Sequence, residues 1–275
     1  MANLSELKNL TRDLPVQDNL MPVLFIGHGS PMNGIEDNEF SRSWAEMGQT
    51  IPVPKAVIVV SAHWFTRGTA VTAMSFPPTI HDFRGFPRAL AEAEYPAPGS
   101  PELALETAEL ITSTDVVLDH DWGLDHGAWT ILKHMFPAAD IPVLQLSIDY
   151  TKSPKAHYEL AGELYQLRKK GVLILASGNM VHNLRMMDFG MIDAGGYDWA
   201  VEINERFKTL IMNNDHQSLM DYQNLGKVAL LAIPTPEHYL PLLYTLGLKN
   251  DREEVTLFND KAVLGSITMT SLRVG

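Results

Sequence analysis

Six short runs of mainly apolar residues constrain the fold of this chain more than any other feature. They cover residues 21–27, 56–60, 69–74, 141–148, 172–176 and 228–233. The second run, AVIVV, is apolar at every position rather than at alternate positions, which is typical of a strand buried on both faces. Strands of this kind occur in parallel sheets that lie between layers of helices.

The segments between these runs carry the end signals of helices. Ser100 and Ser153 each precede a proline, so that a capping hydroxyl stands before a proline at the first helical position. The helix that follows Ser153 is expected to end at Gly171, directly after a basic last turn.

Strands that alternate with helices predict an α/β fold, built as a single domain with a largely parallel central sheet flanked by helices. Apolar spacings of three and four predict another helix over residues 197–213. Residues 254–260 and 266–274 predict a pair of strands at the end of the domain. We expect an N-terminal arm or short helix over residues 1–20 and one catalytic domain over residues 21–275.

The composition excludes several classes of partner. The 275 residues are 45% hydrophobic and 20% charged, with a formal net charge of −12, so we expect no nucleic acid and no anionic membrane partner. No apolar stretch has the length needed to span a bilayer. The chain has no cysteine, which excludes disulfides and thiolate metal sites and is typical of a reducing cytoplasm. We therefore expect a cytoplasmic protein, whose oligomeric state the sequence does not indicate.

Histidines follow four of the apolar runs, close to the positions where strands are predicted to end. They are His28, His63, His182 and His238. In open α/β sheets, ligands and reactive groups lie beyond the carboxyl ends of strands, so one sheet edge is the natural place for these side chains to meet. A single histidine there is more often a packing residue, but four together favour a metal or catalytic cluster.

His28 and His238 have the most informative surroundings. His28 lies in GHGSP, where two glycines allow the backbone to turn tightly and approach a ligand closely. His238 lies in IPTPEHY, where Thr235 is predicted to cap a helix whose first turn holds Glu237 and His238. The partial positive charge of a helix N-terminus keeps His238 neutral, which is the form that binds metal. Glu237 can serve either the helix dipole or the metal.

Without cysteine, the candidate metal ligands are imidazole and carboxylate groups. These donors suit zinc or non-haem Fe(II), and the latter typically keeps coordination positions open for substrate and O₂. We therefore expect one divalent metal per chain, held at the edge of the sheet.

Seven motifs together resemble those of a known enzyme family. In chain order they are GHGSPMN, SAHW, DFRGFP, YPAPGSPELA, DWGLDHGAW, SGNMVHNL and PTPEHYLPL. They are similar to motifs of the 4,5-DOPA extradiol dioxygenases, a branch of the extradiol ring-cleaving family that includes the catalytic subunit of protocatechuate 4,5-dioxygenase. The pair GLDHGAW and PTPEHYLPLLY is specific, whereas GHGSP alone is a weak signal.

The resemblance implies roles for five histidines. His28 and His63 match the first two metal ligands of the family, and His238 matches the third ligand of the DOPA branch. His182 matches the acid–base catalyst. His126 matches a second active-site histidine that steers the substrate hydroxyl or bound dioxygen.

The sequence departs from the protocatechuate branch at the third ligand, which is a glutamate there. Here Glu237 and His238 are adjacent, and neighbouring side chains on a helix point about 100° apart, so only one is expected to reach the metal. We expect His238 to be that ligand. Three neutral imidazoles leave the charge of the cation uncompensated, which also suits zinc. Whether His182 contacts the metal as well stays open.

The resemblance implies a non-haem, metal-dependent extradiol dioxygenase with a small catechol and O₂ as its partners. L-DOPA, opened by 4,5-cleavage to seco-DOPA, is the name-giving substrate of the family. Fe(II) is expected for activity, Zn(II) can also be bound, and His182 would act as general base. The alternatives are a zinc-dependent hydrolase with a metal-bound hydroxide, and a non-catalytic metal-binding protein.

Asp121 and Asp125, which lie just before His126, are predicted to accept hydrogen bonds from its ring. The other histidines lack a preceding strand end, and they are predicted to be surface or packing residues: His81, His120, His134, His157 and His216.

The motif DFRGFP offers further candidates. Phe83 and Phe86 can line the pocket for the aromatic ring, although aromatic residues are as often part of a core. Arg84 and Arg88 can pair with a substrate carboxylate, although surface arginines are more common.

Overall fold

Eight strands form the central sheet in a computed structural model that describes residues 20–192 and 195–275. The predicted arm or helix over residues 1–20 lies outside the described residues, except for Leu20. With a further pair outside this sheet, the described residues form ten strands: β1 Val23–Gly27, β2 Ala56–Thr66, β3 Thr69–Thr72, β4 Val116–Asp119, β5 Val143–Asp149, β6 Val172–Gly178, β7 Val255–Phe258, β8 Ala262–Val263, β9 Ile267–Thr268 and β10 Ser271–Val274.

The middle of the sheet is parallel. The strand order is β4-β3-β5-β2-β6-β1-β10-β7, while β8 and β9 form a separate antiparallel pair. β1 pairs in parallel with β6, β6 with β2, and β2 with β5. β10 is antiparallel to both β1 and β7, which confirms the strand pair predicted at the end of the domain. The α/β fold with a largely parallel sheet is confirmed.

Alternate side chains of each central strand enter two different cores. In β1, Val23 and Phe25 belong to one apolar cluster, whereas Leu24 and Ile26 belong to the other. All four side chains are fully buried. Helices therefore cover both faces of the sheet, which explains why the strands are apolar at consecutive positions.

Ten α-helices surround the sheet in the described part of the chain. They are α1 Glu39–Thr50, α2 Arg88–Ala91, α3 Pro101–Leu110, α4 His126–Met135, α5 Pro154–Glu163, α6 Tyr165–Lys169, α7 Asp198–Met212, α8 His216–Met220, α9 Lys227–Ala232 and α10 Leu240–Gly247. α1 and α4 pack on one face, and α3, α5, α7 and α10 pack on the other. Within the described ranges, none of these helices has both the length and the apolar character needed to cross a membrane.

The predicted helix ends are confirmed with one difference. The hydroxyls of Ser100 and Ser153 each accept a hydrogen bond from the backbone N–H three residues further on. The helix predicted to run from Ser153 to Gly171 is divided at Leu164 into α5 and α6. Gly171 then adopts a left-handed φ of 83°, a conformation that glycine accepts without strain.

The strand predicted over residues 228–233 is wrong, because this run forms α9. Ala229 and Ala232 are fully buried while Leu230 is 49% exposed, and a burial spacing of three is that of a helix. A short apolar run has no period that separates a buried strand from a helix. His238 therefore follows a helix rather than a strand.

Candidate metal centre

Five histidines come together at the carboxyl edge of the parallel strands. His28 directly follows β1, His63 lies near the end of β2, and His182 lies shortly after β6. Because β2, β6 and β1 are neighbours in the sheet, their carboxyl ends meet. His126 is the first residue of α4, and His238 lies just before α10. All five histidines singled out in the sequence thus lie in one cluster.

His63 projects from an irregular part of β2. The register of β2 against β5 shifts between Val60 and Phe65, and the backbone N–H of His63 donates to Ser61 Oγ at 3.3 Å. Irregularities of this kind redirect side chains next to functional sites. β2 continues to Thr66, beyond the end predicted near His63.

His238 reaches the cluster from a turn, so the prediction that it lies in the first turn of a helix is wrong. α10 begins only at Leu240, and Pro241 occupies its first turn, where proline is favoured. Thr235 does not cap this helix, because its hydroxyl donates to Glu237 Oε1 at 2.7 Å.

The turn that carries His238 packs directly against the end of β6. The carbonyl oxygen of His238 accepts a hydrogen bond from the backbone N–H of Asn179 at 2.8 Å. A Cβ added at Gly178 would lie 2.2 Å from that oxygen. The missing side chain at Gly178 therefore permits the close approach that places His238 beside the other rings.

Three imidazoles form a donor set for one cation. The Nε2 atoms of His28 and His63 are 3.0 Å apart, and one ring nitrogen from each of His28, His63 and His238 lies within 4.8 Å of the others. His28 is 2% exposed and His238 is 8% exposed. Imidazole donors that converge in this way fit a zinc or Fe(II) ion, and the assignment of these three histidines as its ligands stays a prediction.

Burial keeps these imidazoles neutral. Burial, and then the neighbouring imidazoles, lower the pKa of His28 and of His238 well below the usual histidine value. Burial and the adjacent His126 lower the pKa of His63 to about 3, against the opposing charge of Asp82. Neutral imidazole is the form that binds a metal, so the protonation state of the cluster fits a divalent cation.

Protein oxygens face the second nitrogen of two of these rings. Ser177 Oγ lies 3.0 Å from Nδ1 of His28, and Glu237 Oε1 lies 3.3 Å from Nδ1 of His238. Metal-binding histidines usually have such a partner, which orients the ring. Because the Nδ1 atoms make these contacts, the Nε2 atoms stay available to a metal. Glu237 is thus placed to orient the ring of His238.

Two further imidazoles flank the donor set. The ring of His182 stacks on that of His238, with centroids 3.5 Å apart and an interplanar angle of 10°. The ring of His126 lies 3.9 Å from that of His63 between centroids. Burial lowers the pKa of His182 to about 4, although the charge of Glu237 opposes this shift. Both rings thus lie directly against rings of the donor set.

Asp82 is a residue of the site that the sequence reasoning missed. Its Oδ2 lies 2.9 Å from Nδ1 of His126, and its Oδ1 accepts the backbone N–H of His126 at 3.0 Å. Burial raises the pKa of Asp82, but the hydrogen bonds that it accepts from the ring and backbone of His126 oppose burial, and the pKa is lowered to about 2. The available signal was its place beside Phe83 in the motif DFRGFP.

The prediction that Asp121 or Asp125 orients the ring of His126 is wrong. Asp125 is the N-cap of α4 and accepts hydrogen bonds from Ser61 Oγ at 2.7 Å and from Gln145 Nε2 at 2.6 Å. An N-cap carboxylate turns back toward the amides of its own helix, away from the ring of the next residue. Burial raises the pKa of Asp125 to about 6. Asp121 is exposed.

The aromatic residues of DFRGFP lie beside the cluster. The ring of Phe83 meets that of His126 edge to face, with centroids 5.7 Å apart, and Phe86 packs against Phe83 at 5.4 Å. Arg84 is exposed, and Arg88 forms an exposed ion pair with Glu92. The two phenylalanines therefore border the site on the side of His126.

Two of the remaining histidines make packing contacts, as predicted. His157 is buried between the hydroxyl of Tyr244, at 3.0 Å, and the carbonyl oxygen of Asp149, at 3.1 Å. Nε2 of His134 lies 2.8 Å from the carbonyl oxygen of Asn33.

A comparison with known families assigns the chain to one of them. Residues 22–270 match the family described as the catalytic LigB subunit of aromatic ring-opening dioxygenase. The chain therefore belongs to this family of ring-opening dioxygenases.

Individual relatives extend this assignment over nearly the whole chain. The chain is 48% identical over 270 residues to 4,5-DOPA dioxygenase extradiol of Escherichia coli (strain K12), covering 97% of this chain and 99% of the relative. It is 36% identical over 251 residues to the protein of the same name from Beta vulgaris, covering 89% and 92% respectively. The crystal structure of an uncharacterized Escherichia coli K12 protein matches with a TM-score of 0.80 and 44% identity, covering 93% of this chain and 100% of that chain.

Proposed function

We propose that this protein is a non-haem, metal-dependent extradiol dioxygenase that opens the ring of a catechol with O₂. The observation that carries the proposal is the donor set of His28, His63 and His238, whose nitrogens lie within 4.8 Å of one another. Relatives named 4,5-DOPA dioxygenase extradiol support L-DOPA, opened by 4,5-cleavage to seco-DOPA, as a substrate. Residues 21–275 would form the catalytic domain.

We assign one divalent metal per chain to the three imidazoles of this donor set. Imidazole donors without thiolates suit Fe(II) and Zn(II), and we propose Fe(II) for activity with Zn(II) able to occupy the same ligands. When bound, Fe(II) would supply the attachment point and the electron transfer that allow a catechol to react with O₂.

His182 is proposed as the acid–base catalyst. Its ring stacks on that of His238, which places its nitrogens beside a candidate metal ligand. Burial keeps this imidazole neutral, so a ring nitrogen is available to accept the proton of a catechol hydroxyl and to return it later.

His126 and Phe83 are proposed to hold the substrate. His126 would hydrogen bond the substrate hydroxyl, because its ring lies 3.9 Å from that of the candidate ligand His63. Phe83 packs on His126 and would present an apolar surface to the aromatic ring of the catechol.

Oxygen uptake by the Fe(II)-reconstituted protein, measured with ascorbate and a panel of catechols, tests this function. We expect consumption of O₂ that depends on the catechol, together with a yellow ring-opened product, and L-DOPA belongs in the panel. Family membership does not favour the zinc-dependent hydrolase. Ester or amide hydrolysis without O₂, combined with no catechol-dependent O₂ uptake, would replace the proposal with that alternative.

A further inference from the structure

Asp82 lies where two imidazoles of the cluster turn their Nδ1 atoms toward the same carboxylate oxygen. Its Oδ2 is 2.9 Å from Nδ1 of His126 and 3.6 Å from Nδ1 of His63. The distance to His126 is that of a hydrogen bond. The distance to His63 is too long for a hydrogen bond, so that contact is electrostatic only. Asp82 is an exposed residue, but its side chain is only 17% exposed, so the carboxylate is largely shielded from solvent.

The backbone that carries Asp82 is tied to the segment just before α4. The N–H of Ile80 donates to the carbonyl oxygen of Leu124 at 2.7 Å, and the N–H of Leu124 donates to that of Pro78 at 2.8 Å. The indole N–H of Trp129, within α4, donates to the carbonyl oxygen of Ile80 at 3.0 Å. The segment that carries Asp82 is therefore also held to α4 by contacts that do not involve its carboxylate.

The hydrogen bond to Asp82 determines where the proton of His126 lies. An ionised carboxylate can only accept, so Nδ1 of His126 must carry the hydrogen. In its neutral form the imidazole has only this one hydrogen, so that form of His126 keeps a lone pair on Nε2. Free neutral imidazole side chains favour the opposite tautomer, with hydrogen on Nε2, so the carboxylate reverses the usual preference.

We propose that Asp82 is a positioning residue that holds His126 in the Nδ1–H tautomer, so that Nε2 accepts a hydrogen bond from the substrate hydroxyl. The hydrogen bond from the substrate hydroxyl rests on the proposed function, whereas the tautomer of His126 rests only on its contact with Asp82. The same carboxylate favours hydrogen on Nδ1 of His63, which leaves for the cation the Nε2 atom that faces His28.

Two other roles for Asp82 predict different behaviour. Its Oδ1 accepts the backbone N–H of His126 at 3.0 Å, so the carboxylate could serve only to stabilise the start of α4. Asp82, His63 and His126 also offer donor atoms within 4.8 Å of one another, so Asp82 could itself be a metal ligand. The experiment has to separate a positioning residue from both.

The direct test is nitrogen-15 NMR of the Zn(II)-loaded protein labelled at its histidine ring nitrogens. In the wild type, the signals that disappear in His126→Gln are expected to show a protonated Nδ1 and an unprotonated Nε2. Asp82→Ala should move the hydrogen of His126 to Nε2, and Asp82→Glu, which keeps a carboxylate, should restore the Nδ1–H form at least in part. If the alanine variant does not fold, Asp82→Asn takes its place in this comparison, because asparagine has nearly the shape of aspartate but no charge.

Asp121→Ala is the matched control, because it removes an exposed carboxylate from the segment just before α4. It should leave the His126 signals and the turnover of the Fe(II)-loaded enzyme unchanged. An unchanged His126 tautomer in Asp82→Ala would overturn the proposal, and a lower melting temperature with that unchanged tautomer would assign Asp82 to helix capping alone.

Metal content separates positioning from ligation. Asp82→Ala is expected to keep one metal per chain, with metal affinity and kcat each reduced about 10- to 100-fold. Loss of metal as complete as that in His63→Ala would make Asp82 a ligand and overturn the proposal. A wild-type enzyme without catechol-dependent O₂ uptake would remove the proposed function but leave the tautomer result standing.

Discussion

At the scale of single residues, each candidate metal ligand turns one ring nitrogen toward a protein oxygen and the other toward its neighbours. The oxygens belong to Ser177 beside His28, Asp82 beside His63, and Glu237 beside His238. Burial lowers the pKa of each of these rings and so favours the neutral form, and the oxygens orient the rings. The burial and the orienting oxygens thus suit these three rings to a divalent cation.

Alanine substitutions in the cluster should separate metal binding from catalysis. His28→Ala and His63→Ala are each expected to lower the metal content from about one per chain to almost none, since each removes one of three donors. His182→Ala should keep the metal and lose about 100- to 10,000-fold in turnover, because this ring stacks on a ligand and is proposed to carry the proton. Elemental analysis and oxygen uptake measure the two effects.

His120→Ala is the control for these variants, because His120 is exposed and lies outside the cluster. Both its metal content and its turnover should equal those of the wild type. Full metal content in His28→Ala and His63→Ala would contradict the ligand assignment.

The sequence predicted which histidines lie in the cluster, but it did not predict which carboxylate is the hydrogen-bond partner of His126. His28 and His182 follow strands whose carboxyl ends share an edge, which apolar runs reveal. Asp82 is 44 residues from His126 and meets it only because its segment is hydrogen bonded to Leu124. Sequence proximity indicated Asp125 instead, whose carboxylate serves the helix that it caps.

At the scale of secondary-structure elements, the site depends on how closely the turn before α10 approaches β6. The carbonyl oxygen of His238 lies where a side chain at Gly178 would be, so any residue larger than glycine must push the turn outward. The sequence predicted β6 correctly but predicted a strand where α9 forms. Ala229 and Ala232 lie in a run without polar residues, so the run has no period that identifies a helix. The route by which His238 enters the site was therefore not predictable.

Gly178→Ala is expected to weaken metal binding and to destabilise the protein by about 1–3 kcal/mol, because two backbones would have to separate. Gly162→Ala in α5 is the matched control. Its new Cβ would lie 3.7 Å from the carbonyl oxygen of Gly247, which is an ordinary contact, and alanine favours a helix by up to about 1 kcal/mol. Thermal unfolding and metal titration should separate the two variants, and equal effects would contradict this account.

At the scale of the whole molecule, one buried arginine joins distant parts of the chain. Nε of Arg168 donates to the carbonyl oxygen of Met21 at 2.8 Å, and Nη1 donates to that of Leu248 at 2.6 Å. The guanidinium also forms a two-point ion pair with Glu253, whose side chain is 10% exposed. These contacts hold the approach to β1, the end of α6 and the approach to β7 together.

Glu253→Gln is expected to destabilise the protein by about 3–5 kcal/mol, because it leaves the buried guanidinium without a counter-charge. Glu254→Gln, the same change at the adjacent and exposed residue, should alter the free energy of unfolding by less than about 0.5 kcal/mol. Urea denaturation of the two variants measures this difference. Equal stabilities would show that the ion pair contributes little.

The spacing of the donor set along the chain has a consequence for biosynthesis. His28 and His63 enter through the first two strands of the sheet, whereas His238 enters only after nine of the ten described helices have been made. A growing polypeptide therefore contains two of the three candidate donors long before it contains the third. The proposed metal site can therefore be completed only after His238 has been synthesised, and a polypeptide that stops before this residue is expected to hold the ion poorly.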